Sequence, residues 1–307
     1  MREWLLSRLI PFIHTGVYPT RAKGIDVMGA DWDTLIVLDA CRADLFEERV
    51  PTSSFDSYDR VVSRGSTTAE WIRQTFGDGS FGDTVYVSAN PFVSRYAGDR
   101  FHRLYEPWWH EFDTASQTVL PGDTTAVALE ALDAHPDKRL IVHYMQPHHP
   151  FVETPELQYR GWDISDFDDW TEHHPGSATA EVDRGPGGPR TPWDAMDRGT
   201  AGYDAVWSAY GRNLELVMAD VDRLLAAVDG RTVVTSDHGN LLGERTWPVP
   251  IRMYGHRPGV RHRGLVEVPW AVLEGESRRH IVAGRTTARE ALGSSPIESR
   301  LEALGYV

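Results

Sequence analysis

The 307-residue sequence has little cysteine, little lysine and no long apolar run, and each scarcity narrows what the protein can be. With a single cysteine, Cys41, an intramolecular disulfide framework is excluded, which fits a reducing compartment. No apolar run is long enough to span a bilayer, and no succession of charged, apolar and small residues marks a secretory signal. We therefore expect a cytoplasmic protein.

Lysine occurs only at Lys23 and Lys138, so arginine supplies nearly all of the positive charge, and the net charge is -14. Concentrated salt screens such a surface and makes it tolerable, so a salt-loving source is one hypothesis, and arginine-rich codon usage is the other. Nucleic-acid binding needs a basic footprint, which an acidic chain of this kind lacks. We expect no nucleic-acid partner.

The chain divides into an N-terminal arm, residues 1–30, and a single domain, residues 31–307. The arm begins with an apolar stretch that is short, carries charges and is interrupted by Pro11, which predicts a packed or interfacial helix with at most a weak membrane contact. Within the domain, residues 155–200 are rich in Asp, Gly, Pro and Trp and lack periodicity. A segment of this length predicts a loop insert that is a lid, a binding loop or a disordered insert.

Apolar strands and amphipathic helices alternate along the domain. The predicted strands cover residues 33–39, 61–63, 84–88, 139–145 and 232–235, and the predicted helices cover residues 40–50, 69–76, 124–134 and 203–228. This alternation predicts an α/β fold, a mostly parallel central sheet with helices on both faces. Ligands of such sheets bind at the carboxyl ends of the strands.

Two of the predicted strands end in residues that can bind metal. The run 33–39 closes with Asp39, and a β-branched run leads directly into Asp237 and His238. Carboxylate and neutral imidazole suit a divalent cation such as Zn or Mn. Each residue also has a simpler explanation, since Asp39 could cap the next helix and Asp237 could be a surface acid beside a half-buried histidine.

A hydroxyl-rich turn, residues 65–70, precedes a predicted helix. Thr67 or Thr68 could be an ordinary helix cap, and Glu70 stands at capping-box spacing from Thr67. The same position would place a hydroxyl where backbone N–H groups stabilise a tetrahedral oxyanion. Metal coordination would lower the hydroxyl pKa and produce a nucleophile.

Histidines follow in two further places. His148 and His149 stand between prolines that hold the segment extended, so at least one imidazole can point to a fixed place, or the two form a surface pair. His256 and His262 lie among several arginines. One of these histidines could bind metal and an arginine could hold an anionic substrate, or the arginines form a solvated face.

Taken in order, these segments resemble the sulfatase-like branch of the alkaline phosphatase superfamily. The similar stretches are residues 35–45, 66–71, 143–151, 235–239, 242–244, 268–270 and 301–306. The resemblance implies the three-layer fold of that superfamily and a metal-assisted transfer of a phosphoryl or sulfuryl group through a covalent Thr or Ser intermediate. It implies a divalent cofactor, with Zn or Mn favoured and Ca or Mg as alternatives.

Carried over by position, the resemblance assigns roles to individual residues. The metal ligands would be Asp39, Asp237, His238 and His256. Thr67 is the first choice for the nucleophile, and Thr68 is the second because it also lies in the turn. The substrate-binding residues would be His148, which could instead contact a second metal, together with Arg42, His149 and His262.

The sequence also departs from the family. The Cys-x-Pro-Ser-Arg motif that supplies formylglycine to sulfatases is absent, and Ala40 fills the place of a second acid after Asp39. We therefore expect an enzyme acting on phosphate esters, with phosphodiesters preferred, and a small-molecule, glycan-linked or lipid-linked substrate. The alternatives are a sulfuric ester hydrolase that uses unmodified Thr, and a non-catalytic binder of an anionic glycan or lipid head group. In the binder, Trp162, Trp170 and Trp193 would stack on sugars.

Overall fold

A computed structural model describes residues 1–18, 23–77, 79–159 and 188–286 of the chain. Its strands are β1 (Thr34–Asp39), β2 (Ser57–Val62), β3 (Phe81–Ser88), β4 (Phe101–Tyr105), β5 (Phe112–Asp113), β6 (Thr118–Val119), β7 (Arg139–Pro147), β8 (Thr232–Ser236), β9 (Leu241–Arg245), β10 (Arg252–Gly255) and β11 (Glu267–Leu273). Seven of them form one sheet in the order β2-β11-β8-β1-β7-β3-β4. Two antiparallel pairs, β9 with β10 and β5 with β6, stand apart from it.

The central part of the large sheet is parallel. Strand β1 pairs in parallel with β7 on one side and with β8 on the other, and β3 and β4 continue the parallel order beyond β7. Only β11 runs against its neighbours β8 and β2. The carboxyl ends of β1, β7 and β8 therefore meet at one edge, where side chains that follow these strands come together.

Ten α-helices surround the sheet in the described residues. They are α1 (Arg2–Trp4), α2 (Ile10–Val17), α3 (Ala43–Arg49), α4 (Thr68–Phe76), α5 (Pro91–Ala97), α6 (Pro107–His110), α7 (Pro121–Ala134), α8 (Pro192–Asp197), α9 (Tyr203–Leu225) and α10 (Arg263–Val266). A π-helical stretch, Leu5–Leu9, joins α1 to α2, so residues 2–17 form one helical segment. None of these helices combines the length and hydrophobicity needed to cross a membrane.

Alternate side chains of β1 pack into two separate cores. Ile36 and Leu38 join the core formed with α3, α7 and α9, whereas Leu35 and Val37 join the core formed with α4 and α5. Both faces of the sheet are therefore covered by helices, as the period of two along a strand requires. The predicted α/β three-layer architecture is confirmed.

Each strand and helix predicted from periodicity exists, with shifted ends. The predicted strand 61–63 is the end of a longer strand, β2, and the predicted helix 40–50 begins only at Ala43 because Ala40 has a left-handed backbone, with φ of 58°. Sequence analysis missed α5, β4 and the β9–β10 pair. These are short elements with few apolar positions, so they show little periodicity.

The predicted loop insert 155–200 is described only at its ends. A short 3₁₀ turn, Pro155–Leu157, and helix α8 belong to these ends, while residues 160–187, with Trp162 and Trp170, lie outside the described residues. The C-terminal stretch 301–306 also lies outside them. The division into an arm and a single domain remains a prediction.

The long helix α9 offers a test of the core. Leu214 is fully buried, whereas its neighbour Glu215 is exposed. Leu214→Ala removes apolar contacts and leaves a cavity, so we expect it to lower the free energy of unfolding by about 2–5 kcal/mol. Glu215→Ala should change it by less than about 1 kcal/mol. Urea unfolding followed by circular dichroism measures both, and equal effects would contradict this packing.

Candidate active site

Two buried carboxylates lie side by side at the carboxyl edge of the sheet. Asp39 ends β1 and Asp237 follows β8, the strand next to β1, and their exposed fractions are 2% and 0%. The strand ends are tied together, because the backbone N–H of Ala40 donates to Asp237 Oδ1 at 2.9 Å. The left-handed backbone of Ala40 turns the chain sharply, so that this N–H faces β8. Backbone geometry thus fixes both acids.

His143 joins these acids from β7, on the other side of β1. Its Nδ1 lies 3.0 Å from the Tyr86 hydroxyl, and its Nε2 has no hydrogen-bond partner. Asp237 Oδ2 is likewise buried without a partner. One ligand atom each of Asp39, His143 and Asp237 lies within 4.8 Å of the others. Unsatisfied buried polar atoms that converge in this way fit a divalent cation, which would satisfy both.

His238 brings a second imidazole to the same point. Its Nδ1 lies 2.8 Å from the Gly239 carbonyl oxygen, which only accepts, so Nδ1 carries the proton and Nε2 is left as a lone-pair donor. Nε2 lies 3.5 Å from Asp237 Oδ2 and 4.0 Å from Asp39 Oδ1. A carbonyl that fixes the tautomer of a histidine is a usual support for a metal ligand.

The two threonines of the hydroxyl turn have different surroundings. Thr67 is the N-cap of α4, and its hydroxyl accepts from the backbone N–H of Glu70 at 3.2 Å. Thr68 is the first residue of the helix, lines the cavity above the acids, and places its hydroxyl 3.2 Å from His238 Nε2. The hydroxyl of Thr67, the first choice for the nucleophile, is therefore used as a helix cap. The hydroxyl of Thr68, the second choice, faces the acids.

The two acids have opposite pKa shifts. Burial and the neighbouring charge of Asp237 raise the pKa of Asp39 well above its ordinary value, against the hydrogen bonds from Asn90 and Thr68. Burial also acts to raise the pKa of Asp237, but His238 and His143 outweigh it, and the pKa lies below its ordinary value. Like charges this close in a dry site oppose each other's ionisation, and a cation relieves that repulsion.

Asn90 is a site residue that sequence analysis missed. It follows β3, caps α5, and its Nδ2 donates to Asp39 Oδ2. The signal in the sequence was its position just after an apolar strand, as for Asp39, and directly before Pro91. His143 was overlooked for a related reason. It stands inside a strand rather than at its end, and only its polarity within a buried run marked it.

A cavity of about 590 Å³ opens above the acids. Its lining includes His148, His149 and His256, and the centroid of the His256 ring lies 4.5 Å from that of the His238 ring, with 47° between the ring planes. His148 Nδ1 lies 2.5 Å from the His149 carbonyl oxygen, which leaves Nε2 as an acceptor. Burial lowers the pKa of His148 to about 4. Trp193 of α8 also lines this cavity.

Two residues predicted to bind substrate do not line this cavity. The guanidinium of Arg42 is engaged by Asp44 at 2.7 Å and by Glu244 at 2.5 Å, and it also donates to the Asn240 carbonyl. His262 is the N-cap of α10 and accepts from the backbone N–H of Gly264. Both side chains support the loops after β8, because their polar atoms are already paired within the protein, and their predicted contact with substrate stays a prediction.

A buried ion pair ties the hydroxyl turn to the loop that carries His256. Arg261 donates to Glu70, and Glu70 also accepts from the Ser66 hydroxyl at 2.8 Å and from the backbone N–H of Gly259 at 3.1 Å. Arg261 has an exposed side-chain fraction of only 4%. This network fixes the start of α4, and therefore Thr68, relative to His256.

Removal of one acid tests the metal site. Asp237→Asn keeps the shape of the side chain but removes a charged ligand. Loss of a hydrogen-bond partner of a metal ligand already lowers metal affinity by about 10- to 100-fold, so we expect the affinity for zinc or manganese to fall by more than about 100-fold. Asp222→Asn, an exposed acid on α9, is the matched control. Mass spectrometry after dialysis measures the metal content of both variants. Equal metal content in the two would exclude this metal site.

The Tyr86 hydroxyl offers a milder test. Tyr86→Phe removes the partner of His143 Nδ1, so we expect metal affinity to fall about 10-fold while the fold is kept. Tyr105→Phe removes a similar hydrogen bond, at 3.1 Å to His135, away from the acids. Competition with a chelating dye measures affinity. If Tyr105→Phe weakens metal binding as much as Tyr86→Phe, His143 is not a ligand.

Comparisons with known proteins give structural matches only. No protein-family model and no curated protein sequence matches the chain. The soluble domain of lipooligosaccharide phosphoethanolamine transferase A from Neisseria meningitidis is 13% identical, with 79% of this chain and 76% of that chain covered and a TM-score of 0.47. The C-terminal periplasmic domain of phosphoethanolamine transferase EptC from Campylobacter jejuni is 16% identical, with 79% and 78% covered and a TM-score of 0.47. Phosphonate monoester hydrolase from Silicibacter pomeroyi is 14% identical, with 81% and 69% covered and a TM-score of 0.39.

These structures are all of enzymes, and they bear on two expectations from the sequence. We withdraw the expectation of a cytoplasmic location: it rested on the lack of a recognisable signal alone, and one of the similar structures is a domain described as periplasmic. The seven-stranded, mostly parallel sheet with helices on both faces agrees with the fold that the resemblance to the alkaline phosphatase superfamily implies.

Proposed function

We propose that this protein is a metal-dependent enzyme that transfers or hydrolyses a phosphate ester through Thr68. The observation that carries the proposal is the Thr68 hydroxyl, which begins a helix and faces Asp39, Asp237 and His238 at the floor of a cavity. A hydroxyl in this place has the three things that a nucleophile of this class needs. These are neighbouring residues that would hold a cation able to lower the pKa of the hydroxyl, an anion site at a helix N-terminus, and a cavity that can take a substrate.

The residues present fit a cation of the zinc or manganese type. Two carboxylates and two imidazoles converge, and nitrogen ligands disfavour calcium and magnesium, which prefer oxygen. His256 lies beside them, with its Nδ1 held 2.7 Å from Asn240 Oδ1. A divalent cation held by these residues would lower the pKa of the Thr68 hydroxyl and stabilise charge on the ester oxygens.

The side chains of this chain account for the remaining steps. Thr68 Oγ1 forms a bond to phosphorus as the bond to the first alcohol breaks, and the hydroxyl proton passes to the departing alkoxide, which leaves a phosphothreonine ester and a free alcohol. The Glu70 N–H is capped by Thr67, whereas the N–H groups of Thr68 and Ala69, at the first turn of α4, would stabilise the developing oxyanion. In the second step His148 Nε2, a lone-pair acceptor at the cavity wall, takes the proton of the water or acceptor alcohol that attacks phosphorus. The bond between Oγ1 and phosphorus breaks, and the proton returns to Thr68 Oγ1.

The size of the cavity supports a phosphodiester substrate. Its volume of about 590 Å³ exceeds what a phosphate group fills and falls in the range of pockets for organic ligands. Phe92, Trp193 and Tyr254 supply apolar wall, and Arg2 and Arg257 supply positive charge. These features suit a phosphate that carries an organic group on each side.

Exchange of the two threonines tests which one reacts. Thr68→Ala removes the proposed nucleophile, and we expect turnover of bis-nitrophenyl phosphate with added zinc or manganese to fall by roughly 1,000-fold or more. Thr67→Ala removes a cap, so we expect it to lower the free energy of unfolding by about 1 kcal/mol and to reduce turnover far less. Steady-state kinetics and thermal unfolding of both variants measure these effects.

The same assay distinguishes the other functions. A larger loss in Thr67→Ala than in Thr68→Ala would contradict the assignment of the nucleophile. Turnover of nitrophenyl sulfate alone would contradict phosphate transfer and favour a sulfuric ester hydrolase. Binding of an anionic glycan or lipid head group with no turnover under any metal would favour the non-catalytic alternative.

A further inference from the structure

Exposed apolar side chains are concentrated at the N-terminal helical segment, residues 2–17. Seven large apolar side chains are exposed in the described part of the chain, and five of them belong to this region: Met1, Trp4, Phe12, Val17 and Trp247. Phe12 is 79% exposed and Trp247 is 62% exposed. Trp247 belongs to the loop after β9 and lies against the segment, with its ring 6.4 Å from the His14 ring. We call these five side chains, together with Arg8, the N-terminal face.

The opposite side of the segment is firmly packed. Leu6 and Ile10 are buried in one cluster with Met253 and Val260. His14 Nδ1 accepts from the backbone N–H of Arg261 at 2.8 Å, and its Nε2 donates to the Trp247 carbonyl. The segment is therefore docked through its apolar inner side, and a second apolar side remains in water, where apolar patches of this kind mark an interaction surface.

The charge of this region is opposite to that of the whole chain. Residues 1–18 and 245–266 together hold seven arginines and one acidic residue, a net charge of +6, against -14 for the complete sequence. Three of these arginines are paired with acids elsewhere in the chain, Arg2 with Asp197, Arg261 with Glu70 and Arg263 with Glu267. Arg8, Arg245 and Arg252 are exposed. Exposed aromatic rings interspersed with arginine on a helix are the composition of a helix that lies in the head-group region of a bilayer.

The N-terminal segment also forms part of the rim of the active-site cavity. Arg2 and Leu6 line this cavity together with His148, His256 and Thr68. Arg2 is held in place by Asp197 of α8, with 2.6 Å between its Nη1 and the carboxylate. A surface that binds this segment would therefore stand beside the entrance to the cavity.

We propose that the N-terminal face docks on an anionic lipid bilayer and brings the cavity entrance to the lipid head groups. Trp4, Phe12 and Trp247 enter the interfacial layer, where amphipathic aromatic rings are favoured. The arginines contact anionic head groups, and this charge attraction adds to the burial of the aromatic rings. A second copy of this chain is a poorer occupant, because two faces of the same positive charge repel each other.

This inference concerns where the protein acts and deepens the proposed function, since a bilayer at the entrance favours a lipid-linked ester. Its test measures binding and not turnover. Failure of Thr68 to react would therefore leave the docking face standing, and failure to dock would leave the chemistry of the site standing.

Vesicle flotation of the full-length protein tests docking. The two probes are vesicles of phosphatidylcholine alone and vesicles of phosphatidylcholine and phosphatidylglycerol in equal parts. We expect the protein to float with the mixed vesicles and at least about tenfold less with the neutral ones, because charge attraction adds to apolar burial. Flotation with neither vesicle would overturn the proposal.

Paired variants locate the binding surface. Trp4→Ser with Phe12→Ser should reduce flotation at least about tenfold, whereas Tyr203→Ser, an aromatic ring 50% exposed on α9, should not. Arg8→Glu should reduce flotation with mixed vesicles several-fold, whereas Arg223→Glu, also exposed on α9, should not.

Thermal unfolding checks that each variant is folded. If the double variant is unfolded, the comparison of Arg8→Glu with Arg223→Glu tests the proposal instead. Equal flotation within a pair would overturn the proposal. So would a dimer that the double variant converts to a monomer in light scattering, because the face would then bind a second copy.

Discussion

The active site depends on the burial of two carboxylates at the ends of adjacent parallel strands. Asp39 and Asp237 are almost inaccessible to water, and each carries a charge that burial opposes. Hydrogen bonds from Ala40 and Asn90 satisfy one oxygen of each acid, yet Asp237 Oδ2 and His143 Nε2 remain without partners. A divalent cation at that point relieves the repulsion and satisfies both orphaned atoms.

The sheet topology places the side chains of the proposed site together. Parallel pairing of β1 with β7 and β8 brings Asp39, His143 and Asp237 together at the carboxyl edge of the sheet. Helix α4 packs on the sheet face that carries Leu35 and Val37 of β1. The Glu70–Arg261 pair then fixes the start of α4 over the acids. Thr68 consequently meets the cluster with its hydroxyl, while the adjacent Thr67 is used as a cap.

The sequence indicated the parts of the site that lie at strand ends. Asp39, Asp237 and His238 follow apolar runs, and this position is visible without a structure. His143 was not visible in this way, because a polar residue inside a buried strand has no positional signal of its own. Side-chain pairing could not be predicted from the sequence: the family resemblance implied substrate binding by Arg42, and the structure shows that Asp44 and Glu244 hold its guanidinium.

The most direct test of this site is anomalous diffraction from a crystal of the zinc-loaded protein, recorded on both sides of the zinc absorption edge. We predict a zinc peak bonded to Asp237 Oδ2 and His143 Nε2 at about 2.0–2.2 Å, with the Thr68 hydroxyl beside it. A map with no zinc peak there would contradict a metal-dependent Thr68 nucleophile.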